Sequence, residues 1–141
     1  MKKTTSELLK LLKNSPSYNE YLTENGRDIT ETMKPGRALC ALLAEKDLKK
    51  SRVIARSGIE THYAYQIFSD IKTPTRDKMI MLCFGFPLNC EETEHLLKIT
   101  GYAPLYSKNQ RDNALLFGLA KQLSVVEMNG LLFDLGLDLL I

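Results

Sequence analysis

Apolar residues recur along this chain at intervals of three and four, the spacing that gathers them on one face of a helix with 3.6 residues per turn. Thr4-x-x-Glu7 is a capping-box pattern opening a helix through Lys13, with Leu8, Leu9, Leu11 and Leu12 as a broad apolar face. Ser15-Pro16 ends it and starts a second helix, with Pro16 at the first helical position, Tyr18, Tyr21 and Leu22 within it, and Gly26 placed to stop it. Residues 27–34, polar and threonine-rich, read as a connector. Pro35 opens GRALCALLAEKDL, where Leu39, Leu42 and Leu43 form a stripe. Thr73 or Thr75 caps a helix running to about Phe84, with Met79, Ile80, Leu82 and Cys83 inward, and Gly85-Phe86-Pro87 breaks it. Asn89-x-x-Glu92 is a second capping signature, opening EETEHLLKIT with Gly101 just past its end. Ser107 or Asn109 begins a helix containing Ala114, Leu115, Phe117, Leu119 and Ala120, and Ser124-x-x-Glu127 caps the last, VEMNGLLFDLG. No stretch alternates like a strand with a hairpin turn. The pattern predicts an all-α protein of about eight or nine short helices.

The stretch from Lys49 to Arg76 has the richest pattern. It predicts a short helix with Val53 and Ile54 inward, a tight turn at Gly58, and a second short helix with Ala64 and Ile67 inward. Ile59 plugs the corner, and Pro74 closes the loop that follows. Thr61, His62, Tyr63 and Gln66 are left near the outward face of the second helix.

This spacing of Gly58, Ala64 and Ile67, followed by Asp70-Ile71-Lys72-Thr73-Pro74, resembles the helix-turn-helix of the Cro/C1 (Xre) repressor family. The resemblance covers residues 35–86, and the run YQIFSDIKTPTRDK is similar to small bacterial members with extra helices on both sides. Together with the length, it implies a single all-α domain over residues 1–141: a Cro/C1-like helix-turn-helix core at 35–86, an N-terminal helical extension at 1–34 and a C-terminal one at 87–141. It further implies a transcriptional regulator that occupies an operator as a dimer, one recognition helix per half-site. Thr61, His62 and Gln66 match the family's base-contacting positions. A glutamine amide can pair with an adenine edge, and a threonine can meet a thymine methyl. Tyr63 and Tyr65 are large enough to reach sugar and phosphate. Lys50 matches a phosphate-contacting position, and Lys49 and Arg52 flank it. The sequence departs from the family at Asp70, where Gly is common; at Ile54, where Ala is common; and at Glu60, whose acid would repel phosphate.

Charge sharpens this reading. The net charge of +2 is spread unevenly. Residues 49–78 carry seven basic side chains (Lys49, Lys50, Arg52, Arg56, Lys72, Arg76, Lys78) against three acidic ones (Glu60, Asp70, Asp77). Residues 79–141 carry four basic (Lys98, Lys108, Arg111, Lys121) against seven acidic. The positive segment, with the phosphate-facing group Lys49, Lys50, Arg52 and Lys72, calls for an acidic partner, and double-stranded DNA is the expected one.

Composition excludes other classes. An apolar fraction of 44% and a charged fraction of 26% are those of a globular chain. No apolar run is long enough to cross a membrane, and Lys10 and Lys13 interrupt the leucines a signal peptide would keep continuous. Cys40, Cys83 and Cys90 are odd in number and sit in apolar helical patterns, which points to free thiols, core filler and a cytoplasmic protein. His62 and His95 have no ligand-spaced companions, and no phosphate-binding glycine loop is present, so no metal, no cofactor and no catalytic activity are expected. The apolar tail LLFDLGLDLLI predicts self-association, giving a homodimer through the C-terminal helices, or a fold-back onto the core. The rival function is a helical interaction module, an adaptor or antitoxin-like protein partner on the same scaffold without DNA.

Overall fold

Seven consecutive residues of one helix, Met79 to Gly85, are buried, so beyond its first turn this helix has no solvent face. The run MIMLCFG is apolar all round, and such a helix is stable only when other elements surround it. The computed structural model describes residues 3–25 and 32–141, the side chains of 22–25 excepted, and divides the chain into two units, 1–31 and 32–141. Every described element is α-helical. Gly26, the Leu22 side chain and most of the 27–34 connector lie outside the described residues.

The first unit holds α1 (Thr5–Asn14) and α2 (Tyr18–Asn25). The expected capping box is present, with Thr4 Oγ1 accepting from the Glu7 amide at 3.1 Å, and α1 itself buries none of its residues. Pro16 does not open α2 as expected. The Ser17 hydroxyl accepts from the Glu20 amide at 3.2 Å, and a capping serine sets the helix start one residue after itself.

The second unit runs α3 (Pro35–Lys46), α4 (Lys50–Ser57), α5 (Thr61–Phe68), α6 (Arg76–Gly85), α7 (Cys90–Ile99), α8 (Gln110–Ala120) and α9 (Val125–Asp134). α6 is the buried helix, packed against α4, α7 and α9. Leu39, Ile54, Ile67, Leu97, Leu115 and Leu132 join its side chains in one core, so residues 87–141 build the same interior as 35–86. Thr75 and Asn109 are the caps where the sequence left a choice. α3 lacks a capping residue of its own, and Asp70 supplies one from across the fold: its carboxylate accepts from the amides of Gly36 (2.7 Å) and Arg37 (3.1 Å). Only glycine fits at 36, since a Cβ there would stand 2.6 Å from the carbonyl oxygens of Ile67 and Phe68.

The last four helices are two copies of one unit. An offset of 35 residues carries Arg76-Asp77 onto Arg111-Asp112, Leu88 onto Leu123, the capping box Asn89/Glu92 onto Ser124/Glu127, and Leu96-Leu97 onto Leu131-Leu132. The second helix of each unit is followed by a left-handed glycine, Gly101 (φ 84°) or Gly136 (φ 69°). The units are joined reciprocally. Arg76 donates to both carboxylate oxygens of Asp112 at 3.1 and 3.0 Å, and Arg111 donates to both of Asp77 at 3.0 and 2.9 Å. Each arginine spends its remaining donors on the tail of its own unit, Arg76 on the carbonyls of Ala103 and Pro104, Arg111 on those of Asp138 and Leu139. α6 touches α9 as α8 touches α7. A patch that meets its own equivalent is the mark of a two-fold relation, here within one chain.

Fold-back accounts for part of the tail. The Asn129 amide brackets Leu140, accepting from its N–H at 2.7 Å and donating to its carbonyl at 3.1 Å, and Leu132 and Leu140 are buried while Leu135 and Leu139 stay exposed.

Candidate nucleic-acid interface

The corner between α4 and α5 is made by Gly58 in the left-handed region (φ 74°), with Ile59 buried behind it. Val53, Ile54, Ala64 and Ile67 all face the core. This leaves Thr61, His62 and Tyr65 exposed on α5, with Gln66 half-buried beside them. Tyr63 lies lower than the sequence suggested: it is half-buried, and the Lys78 ammonium sits 5.3 Å from its ring centroid. Tyr63 therefore belongs to the wall between α5 and α6.

The basic residues divide into held and free. The Lys50 ammonium lies 5.6 Å from the Phe68 ring centroid and 6.0 Å from that of Tyr65, which fixes the side chain along α5. Arg76 is spent on Asp112 and leaves the group. Among the described residues, no carboxylate pairs with Lys49, Arg52, Arg56 or Lys72, and all four are exposed.

Two of the three acids in this segment are also occupied by amides. Glu60 caps α5, accepting from the His62 amide at 3.0 Å and the Tyr63 amide at 2.7 Å, and these two bonds, Tyr63 first, hold its carboxyl below the usual range. Asp70, expected to be strained where the family places Gly, does take a left-handed conformation (φ 59°), and its carboxylate caps α3. Sequence spacing could not show this partner, which lies more than thirty positions away.

The two helix starts therefore differ. Side chains cap every other described helix: Thr4, Ser17, Asp70, Glu60, Thr75, Asn89, Asn109 and Ser124. α4 alone among them begins with no side-chain acceptor, and its first turn carries Lys49, Lys50 and Arg52. The Arg52 amide turns to the Lys49 carbonyl at 3.1 Å, and the two amides before it, with the positive end of the helix dipole and three cations, form a place for an anion.

The cysteines do not share one role. Cys83 is fully buried and burial pushes its thiol up to about 12; Cys90 is half-buried; Cys40, expected in the core, is exposed with its thiol toward the Phe68 carbonyl. Among the described residues no group of His, Cys, Asp and Glu could hold a metal ion, and no helix is long and apolar enough to cross a membrane. No family model, no curated protein and no solved structure matches this chain.

Proposed function

We propose that this chain is a cytoplasmic, sequence-specific DNA-binding regulator of the Cro/C1 kind, acting as a dimer by operator occupancy. The observation that carries the reading is the start of α4: the one described helix without a side-chain cap, with Lys49, Lys50 and Arg52 around its first turn. A phosphate there receives amide donors and cations together. With α4 anchored on the backbone, α5 turns Thr61, His62 and Gln66 toward base edges, and Lys72 reaches the strand beyond. Because Glu60 already occupies the first amides of α5, base reading falls to side chains alone.

A second reading rests on the same Glu60. An ionised carboxylate at the start of α5 opposes a polyanion, as suits an interaction module that has given up DNA. Selection from a random duplex pool, followed by titration at several salt concentrations, separates the two. The DNA reading predicts enriched duplexes and a slope of log K against log salt of about −0.9 per phosphate neutralised. A pool that stays random, with no binding at low salt, favours the interaction module.

A further inference from the structure

The Lys46–Glu92 ion pair joins the end of α3 to the start of α7. At the other end the Met33 amide, just before α3, donates to the Ile99 carbonyl at 2.8 Å. The two helices therefore run antiparallel and are pinned at both ends. Between the pins they do not close. α3 packs against α5, and toward α7 it offers the small side chains Ala38 and Ala41. What remains between α3 and α7 is a groove of about 350 Å³.

The groove has an apolar floor and an acidic end. Ala38 and Leu96 are buried at its base, Leu42 and Ile99 are half-buried, and Ala41 is exposed along it. Glu45 of α3 and Glu91 of α7 border it at the end that Lys46 and Glu92 close, and both are exposed. His95 follows one turn beyond Glu91. Among the described residues no lysine or arginine borders the groove, and no cation pairs with Glu45 or Glu91. Lys46 is spent on Glu92, so two carboxylates are left without a partner at one end of an apolar channel.

We propose that this groove docks a short amphipathic helix of a partner protein, with apolar side chains on the floor and a lysine or arginine at the Glu45–Glu91 end. On α3 the bordering residues are Ala38, Ala41, Leu42 and Glu45, and on α7 Glu91, His95 and Ile99 recur one turn apart. Each stripe is two turns long or slightly more, about 10.5 Å from Ala38 to Glu45. Two such stripes side by side receive the i, i+3, i+4 ridge of a third helix. Charge then selects among helices: an acidic one meets two like charges at the closed end, and a basic one meets its complement. The groove shares no residue with the α4–α5 surface, so this proposal and the operator reading fail independently.

Two labelled helical peptides, one of leucine and lysine and one of leucine and glutamate with the same spacing, test it. Fluorescence anisotropy follows each against the full chain from about 1 to 500 µM. The lysine peptide should bind, and the glutamate peptide should bind at least about tenfold more weakly. The double variant Glu45→Lys with Glu91→Lys should reverse that order with an unchanged helical spectrum. Ala41→Phe fills the groove from an exposed position without touching charge, and should weaken the lysine peptide by about tenfold or more. No binding of either peptide overturns the proposal. So does an order of preference that the charge reversal leaves in place, or an affinity that Ala41→Phe does not move. Dodecyltrimethylammonium, an apolar cation with no helix, is the third probe: if it binds and the lysine peptide does not, the groove takes a small molecule and the proposal is wrong.

Discussion

At both the α4–α5 and the α8–α9 corner, a side chain accepts from the first amides of the second helix, Glu60 in one and Ser124 in the other. In both, an aliphatic residue fills the angle, Ile59 or Leu123. α6–α7 repeats the device with Asn89 and Leu88. Their solvent faces have little in common. α5 presents Thr61, His62 and Tyr65 beside free cations, α7 presents Glu91, His95 and Lys98, and α9 presents Val126 and Phe133. A helical corner with a side-chain cap and an aliphatic residue in its angle is thus a building unit of this chain, used three times among the described residues, and it specifies no activity. Function resides in what each corner turns outward.

The comparison breaks first at the arginine–aspartate exchange. Asp112 is the more deeply set acid, its side chain 12% exposed against 30% for Asp77, and it also accepts from the Tyr106 amide at 2.9 Å. Asp112→Ala should cost about 3 kcal/mol by denaturant unfolding, because Arg76 is left without its partner; Asp77→Ala should cost about 1 kcal/mol. Equal losses would mean that the two copies carry the exchange alike.

The same acid sets a pH dependence. Burial opposes ionisation of Asp112, but the Arg76 guanidinium and the Tyr106 amide outweigh it and hold its carboxyl below the usual range. A carboxylate whose pKa is lowered by folding stabilises the protein above the ordinary Asp range of about 3.9 and loses that contribution as pH falls through the lowered value. Unfolding measured from pH 7 down to about 2 should fall off at the acid end, and Asp112→Asn should flatten that limb. An unchanged limb in the variant would assign the acid loss to other carboxylates.

Much of this architecture can be read in the sequence, because local rules produce it. Capping boxes at Thr4/Glu7, Asn89/Glu92 and Ser124/Glu127 are three-residue signals, and all three are present. The buried side of α4 and α5 follows from periodicity. What escapes is what the chain brings together from afar. Asp70 caps its helix through Gly36, 34 residues earlier. Arg76 counts as a free cation until Asp112 is found opposite it. The duplication was legible, since Arg-Asp recurs at 76 and 111 and a capping box follows each at the same distance, but read singly these signals look unrelated. Ser17 displaced Pro16 as the start of α2 because a hydroxyl that caps outranks a ring that merely tolerates the first turn.

A smaller effect sharpens the contrast between the corners electrostatically. Glu60→Gln keeps an acceptor for the α5 amides and removes the charge, so DNA binding at low salt should tighten several-fold while the helical spectrum is unchanged. Lys121→Ala, at the C-terminal end of α8 and outside the α4–α5 corner, should leave both affinity and salt slope as they were. Fluorescence anisotropy on one selected duplex measures both. A Glu60→Gln variant that binds no better would show that the carboxylate does not face the strand.

The most direct measurement compares Gln66→Ala and Lys49→Ala on two duplexes, the preferred one and a random one, at fixed salt. If α5 reads base edges and the start of α4 grips phosphate, Gln66→Ala costs about 1–3 kcal/mol on the preferred duplex and leaves the random one unaffected. Lys49→Ala then weakens both duplexes by the same factor, because a phosphate carries no sequence label. Equal losses from Gln66→Ala on both duplexes, or no loss on either, would contradict the placement of α5 in the groove.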